Sequence, residues 1–195
     1  MPTLKPATKF LLGLTALLTL AGCAQSPQQV RLDPVISVNT VVENQPTVHL
    51  SITDKRPSQS LGTRGGVYRD SNHITLAQPI SRSLRPTAEA ALTEMGIRVD
   101  QPSPQPVQLN LIVEELSYKV ADTQTLPLEI TLRAQIAAIA DKNGSQQASR
   151  YESTKVHKFF KAPNEATNAE IINQIMSETL TRLFNDPRLI DFLRR

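Results

Sequence analysis

Three groups of side chains in this sequence could do chemistry, and each sits in a different kind of segment. The first is a single thiol. Cys23 is the one cysteine among 195 residues, and it follows Leu20-Ala21-Gly22. Upstream lie Lys5 and Lys9, then an apolar run from Phe10 to Leu20. A short positive region, an apolar core and small residues ahead of a cut site make a secretory signal peptide. The core falls short of the roughly 20 apolar residues that span a bilayer. The second group is cationic. Arg56, Arg64 and Arg69, with Lys55, lie in a stretch from Asp54 to Asp70 that also holds Gly62, Gly65 and Gly66. Forked guanidinium donors beside exposed main-chain amides suit a phosphate or a carboxylate. Gly62-Thr63-Arg64-Gly65-Gly66 lacks the Gly-Lys-Ser/Thr that opens a helix in a nucleotide phosphate loop. The competing reading is a mobile loop whose arginines are solvated or pair with the aspartates. In that reading Asp54 accepts main-chain N–H groups at a strand end and Arg56 braces the turn.

The third group is the scattered acids, bases and hydroxyls. Glu114 and Glu115 are neighbours on a strand, so their carboxylates point to opposite faces unless a bulge turns both the same way. His49, His73 and His157 stand singly, without metal-ligand spacing. Lys155 and Lys158 around His157 read as a solvated strand face. Neither a Gly-x-Ser-x-Gly elbow nor a Ser/His/Asp set stands out. No catalytic residue and no metal site are assigned.

Leu20-Ala21-Gly22-Cys23 at the end of such a core resembles the lipobox of bacterial lipoproteins. The resemblance implies cleavage between Gly22 and Cys23, with Cys23 acylated and first in the mature chain. It implies covalent diacylglycerol and an N-acyl chain on Cys23, and no other cofactor. At about 0.8 kcal/mol per buried CH₂, on the order of 10 kcal/mol per chain, several chains make attachment effectively permanent. Ala24 stands where an Asp would be the familiar inner-membrane retention signal. The expected location is therefore the outer membrane of a Gram-negative bacterium, on its periplasmic face. Ala24-Gln25-Ser26-Pro27-Gln28-Gln29 is polar and unpatterned, and reads as a flexible tether. Removing residues 1–22 discards two of the 21 Lys+Arg and no acid, so the formal charge falls from +3 to +1. That leaves no nucleic-acid footprint. The absence of Trp argues against a stacking groove for sugars or bases.

A modest set of elements must position these groups. An edge strand is expected at about 35–41, after Pro34. In Thr47–Thr53, Val48, Leu50 and Ile52 share one face. His73–Ala77 reads as a short strand. Ile80, Leu84, Ala88, Ala91, Leu92 and Met95 form a helical stripe, with Gly96 as its left-handed cap. Pro86 is either the first helical position or a kink in the opening turn. Ile97–Val99 is a short strand candidate. Val107, Leu109, Leu111 and Val113 alternate until the phase changes at Glu114-Glu115, as a bulge requires, and Leu116, Tyr118 and Val120 continue. Leu128 to Ala140 alternates, Asn143-Gly144 reverses the chain, and Gln146–Phe159 pairs back. A last helix carries Ile172, Ile175, Met176, Thr179, Leu180 and Leu183, and Asp186-Pro187 starts a final turn or two. The expected fold class is α+β: a largely antiparallel sheet with two amphipathic helices packed on one face. Residues 1–22 are the signal peptide, 23–30 the lipidated cysteine and tether, and 31–195 a single periplasmic domain.

Taken in order, the chain resembles the YajG family of outer-membrane lipoproteins. The lipobox, Val48-His49-Leu50-Ser51-Ile52-Thr53-Asp54-Lys55-Arg56, the stretch Tyr68–Leu76 and Ile190-Asp191-Phe192-Leu193 carry the resemblance. The family brings no catalytic residues to carry over. The expected function is a non-enzymatic lipoprotein whose domain binds or scaffolds a periplasmic partner, held to the membrane by its lipid. The alternative is an auxiliary lipoprotein in envelope lipid or lipopolysaccharide transport, which would need an apolar groove between helix and sheet. A protein or lipid partner is expected in the periplasm, and no nucleic acid.

Overall fold

The long alternating segments dominate the computed structural model, which describes residues 27–66, 69–122 and 126–194. β6 (Val107–Val120), β7 (Leu128–Lys142) and β8 (Ser145–Phe159) form an antiparallel meander. Asn143 (φ 53°) and Gly144 (φ 82°) make the turn between β7 and β8, where Lys142 faces Ser145. The phase change in β6 is a bulge between Val113 and Glu115. On the other side of β6 lies β2 (Thr47–Asp54), in parallel, and β2 in turn pairs in parallel with the short β5 (Arg98–Val99). Farther along the same side, β3 (Ser60–Thr63) meets β6 where Gly62 faces Tyr118. β4 (His73–Leu76) runs antiparallel to β3, and β1 (Gln28–Val30) parallel to β4.

The sheet of eight strands is therefore mixed, and the largely antiparallel sheet expected from the sequence is corrected. Alternation tells which face of a strand is buried but not which way the strand runs. β2 returns to its neighbour β6 only after β3, β4, a helix and β5, and a crossover of that length permits parallel pairing. A second correction concerns the tether. Gln28–Val30, assigned to it, is paired into the sheet as β1.

There are three helices among the described residues rather than two. α1 (Ile80–Glu94) covers β2 and β5, and α2 (Glu165–Phe184) covers β7 and β8. α3 (Pro187–Leu193) is a short third helix, capped by Asp186, whose carboxylate accepts the Arg188 N–H at 2.9 Å. All pack on the sheet face that carries Leu50, Leu109, Ile136 and Ala138, with Phe184, Ile172, Leu92 and Met95 fully buried against it. Gly96 (φ 80°) ends α1 as expected, with the Ile97 N–H returning to the Leu92 carbonyl at 2.9 Å. Pro86 fits neither position foreseen for it, because α1 starts after Pro79 and holds Pro86 in its second turn. Pro86 and Arg82 are both exposed, so the Arg82 carbonyl that lost its donor can be hydrated.

The stretch expected to be an edge strand at 35–41 is extended but joins no sheet. It runs as a strap beside α2. The N–H groups of Asp33, Val35, Ser37 and Asn39 donate to the side chains of Asn173 (2.6 Å), Ser177 (2.9 Å), Thr181 (3.3 Å) and Asn185 (2.9 Å). Asn173 and Asn185 donate back to the carbonyls of Arg31 and Ser37. The match is geometric. Four helical residues rise about 6.0 Å, and two extended residues about 6.6 Å. At its far end the strap meets α1, where the Val42 N–H donates to the Met95 carbonyl at 2.7 Å. Leu32 and Pro34 are buried, and Ile36 and Val38 pack on the core.

Candidate functional site

Gly22 and Cys23, expected to be the cleavage site and the lipidated residue, lie outside the described residues, and the chain after them enters the fold at one point. That point is Gln28, at the end of the sheet where β6 finishes, β7 begins, β8 finishes and α2 begins. A buried relay marks it. The Tyr118 hydroxyl donates to Asn168 Oδ1 at 3.0 Å, and Asn168 Nδ2 donates to Gln28 Oε1 at 2.7 Å. Burial pushes the Tyr118 pKa well above the ordinary phenol value, so the hydroxyl stays a donor. Asn168 and Gln28 are buried polar residues, and each uses the other to avoid an unmet group.

The three arginines proposed to contact an anion are not brought together. Arg56 turns inward. Its side chain is 2% exposed, and it grips Asp54 with two bonds, Nε to Oδ1 at 2.9 Å and Nη2 to Oδ2 at 2.8 Å. The bond from Arg56 holds the Asp54 carboxyl below the usual carboxylate range against the opposing effect of burial. The Lys55 N–H donates to the Val113 carbonyl, which fixes Arg56 beside the β6 bulge. Arg64 lies beyond β3, where its main-chain N–H donates to Asn72. Arg69 is exposed, 3.8 Å from Asp122. From Val113 to Tyr118 along β6 is roughly 16 Å, which is the spread between the first arginine and the other two. The stretch 54–70 is also less of a loop than it reads, because β3 lies inside it. Gly62 is there for close approach rather than adaptability. A Cβ on it would sit 1.8 Å from the Tyr118 carbonyl oxygen.

At the bulge, Glu114 and Glu115 both leave the core face and line a recess of about 250 Å³ with Arg56, Ser58, Ser117 and Gln135. Neither carboxylate is idle. Glu114 is held by Arg150 at 2.7 Å and by Gln135 at 3.0 Å, and Glu115 accepts from the Ser117 hydroxyl at 2.7 Å. Both carboxylates are thus taken up in fastening the bulge to its neighbours. Ser60 Oγ lies 3.3 Å from His73 Nδ1. The Ser60 hydroxyl also faces two main-chain carbonyls, Gly62 at 3.0 Å and Ile74 at 3.4 Å, and its single proton is bound to the strand pairing. His49 lies 3.6 Å from Asp100, and Asp100 is also paired with Arg85. Among the described residues no three His, Cys, Asp or Glu side chains converge as metal ligands.

The residues that sequence reasoning missed are Asn173, Ser177, Thr181 and Asn185. Their signal was present, as short hydrogen-bonding side chains at every fourth position of α2 beside its apolar stripe. Nothing in that spacing says which chain it serves.

The opposite face of the sheet, away from the helices, carries rows such as Ser51–Asn110–Ile139–Ala148 and Thr53–Ile112–Ala137–Arg150. Ile112, Ala137 and Ile139 are half-buried there, and the ion pairs Glu114–Arg150, Arg133–Glu152 and Glu129–Lys158 follow one after another from Ala137 toward the start of β7.

The model of a family described as "Uncharacterized lipoprotein" matches residues 34–194. The Uncharacterized lipoprotein YajG of Escherichia coli strain K12 is 30% identical, over 96% of this chain and 97% of its own length. The same protein from Escherichia coli O6:H1 matches to the same extent. Among solved structures, protein XCC0632 of Xanthomonas campestris aligns with a TM-score of 0.54 at 15% identity, over 85% of this chain and 95% of that one. That likeness is one of fold. Among the described residues no helix is long and apolar enough to cross a membrane.

Proposed function

This chain belongs to the family of uncharacterized lipoproteins whose model spans residues 34–194, and from that premise we propose a non-enzymatic, lipid-anchored binding module. Acyl chains on Cys23 hold it to the periplasmic face of the outer membrane, and its α+β domain presents one sheet face to a periplasmic protein. The observation that carries this reading is the uncovered face. Every helix among the described residues lies on the other side, which leaves Ile112, Ala137 and Ile139 open, with the ion pairs Glu114–Arg150 and Arg133–Glu152 along one border. A modestly apolar patch with a charged border suits a protein partner. The carboxylates at the bulge, the Ser60 hydroxyl and Asp100 are already engaged, which favours binding over chemistry.

Lipid carriage inside the fold is less well supported. The space between the helices and the sheet is filled by Phe184, Ile172, Leu92 and Met95, and the strap puts Leu32 and Pro34 between α1 and α2. Affinity capture from crosslinked cells tests the reading. A variant with Ile112→Glu and Ile139→Glu should lose the protein captured by the wild type. Equal capture by both would refute the assignment of the open face, and phospholipid co-purifying in its place would favour the transport reading. Cys23→Ser tests the anchor separately, since it should abolish incorporation of a palmitate analogue and leave the precursor uncleaved. Label retained on that variant would remove the lipidation assignment.

A further inference from the structure

We infer that the end of the domain carrying Leu126 and Phe160 rests on the phospholipid surface, so that the sheet stands upright on the membrane. The inference rests on acylation at Cys23. From Cys23 to Gln28 there are five residue steps, and a fully extended chain covers about 17 Å over that distance. Gln28 is built into the sheet, opposite Ile74, so the end of the domain where it sits is held within that reach of the bilayer.

Several strand ends meet at this same end. Leu128 faces Phe159 and Val120 faces Ile130, which places Leu126 and Phe160 just beyond the last paired rows. The two are among the most exposed large apolar side chains of the molecule, at 69% and 80%. Among the described residues nothing covers them. Lys161 follows Phe160 directly, and Lys119 is exposed on the neighbouring strand. Exposed apolar tips with a lysine directly beside them suit an interface of acyl chains under phosphate headgroups, with the lysine stem reaching up to the phosphates. Two side chains would hold a free protein only weakly. A tether this short raises the local concentration of the surface so far that weak docking is populated. The lipid supplies the attachment, and Phe160 and Leu126 set the orientation. The hairpin tip at Asn143-Gly144 then points away from the membrane, roughly 45 Å up β7.

The test uses the full-length lipidated protein in vesicles of phosphatidylethanolamine and phosphatidylglycerol. Phe160→Cys, Leu126→Cys and Asn143→Cys each add one reactive thiol, because an acylated Cys23 takes no label. An environment-sensitive maleimide dye at positions 160 and 126 should be quenched by bromine-substituted lipids, and the dye at 143 should not. Phe160→Asp placed in the Leu126→Cys protein should relieve the quenching at 126. Equal quenching at all three positions, or none at 160 and 126, overturns the inference. Shielding of 160 from aqueous iodide without lipid quenching assigns this end to a protein contact and also overturns it. Labelling of the otherwise unaltered protein would show a free Cys23 thiol. In that case the anchor fails first, and the docking falls with it.

Discussion

Removing the polar ladder on α2 should release the strap while leaving the sheet intact. The variant carrying Asn173→Ala, Ser177→Ala, Thr181→Ala and Asn185→Ala loses six hydrogen bonds to the strap. The bonded amides are on the surface, so water replaces the lost partners and each bond is worth about 1 kcal/mol net. That is about 6 kcal/mol in gross terms, against about 2 kcal/mol regained because alanine is the better helix former at the three positions inside α2. The expected loss is about 4 kcal/mol, a large share of a typical domain's stability. Ser177→Ala alone should cost about 1 kcal/mol. Amide hydrogen exchange is the discriminating assay. In the fourfold variant the N–H groups of Asp33, Val35, Ser37 and Asn39 should exchange far faster, while those of Leu109 and Ile136 keep their protection relative to global unfolding. In Ser177→Ala the acceleration should centre on Val35, at several-fold to tenfold. If these four amides stay as protected in the fourfold variant as in the wild type, the helix side chains do not hold the strap and the reasoning is wrong.

Gly62→Ala should destabilise by about 2–4 kcal/mol in a urea melt, since its Cβ would meet a main-chain oxygen that cannot step aside. Gly66→Ala, where a Cβ meets nothing within 4 Å, should cost clearly less. Arg56→Gln should lower stability by about 1.5–3 kcal/mol because it strips a charge-assisted pair from a side chain that is almost wholly buried. Arg69→Gln should leave the melt unchanged. Burial holds His157 below its ordinary value of 6.5, with Lys155 adding to the depression. The unfolded chain therefore takes up this proton first, and stability present above pH 6.5 should decline as pH falls from there toward the folded pKa. His157→Phe should flatten that slope, and an unchanged slope would reject the assignment.

The elements with regular periodicity were legible. Val107–Val120, Leu128–Lys142 and Ser145–Phe159 announce themselves by alternation, the bulge by its phase change at Glu114-Glu115, and the reversal by Asn143-Gly144. Pairing beyond that hairpin was not legible, because it depends on residues distant in the chain. Ser60–Thr63 reads as loop since Ser and Gly are turn formers, and its pairing with His73–Thr75 and the approach of Tyr118 to Gly62 make it a strand. Residues 35–41 show the period of a strand truthfully, and their partner proved to be a helix. The arginines illustrate the same limit. Sequence proximity grouped Arg56, Arg64 and Arg69, while the fold gave Arg56 to Asp54 and placed the others at the end nearest Gln28.

The strap also bears on the order of events during export. Its amides find their partners about 140 residues later in the chain, with Asp33 waiting for Asn173 and Asn39 for Asn185. Contacts so far apart in sequence form late, after the loop between them has closed. A chain crossing a membrane from its N-terminus delivers residues 28–42 first and α2 almost last. On the proposed export, the strap amides at 33–39 thus have no partner until nearly the whole polypeptide has emerged. Seating the strap is then a closing step, taken only by a molecule whose C-terminal helix has arrived.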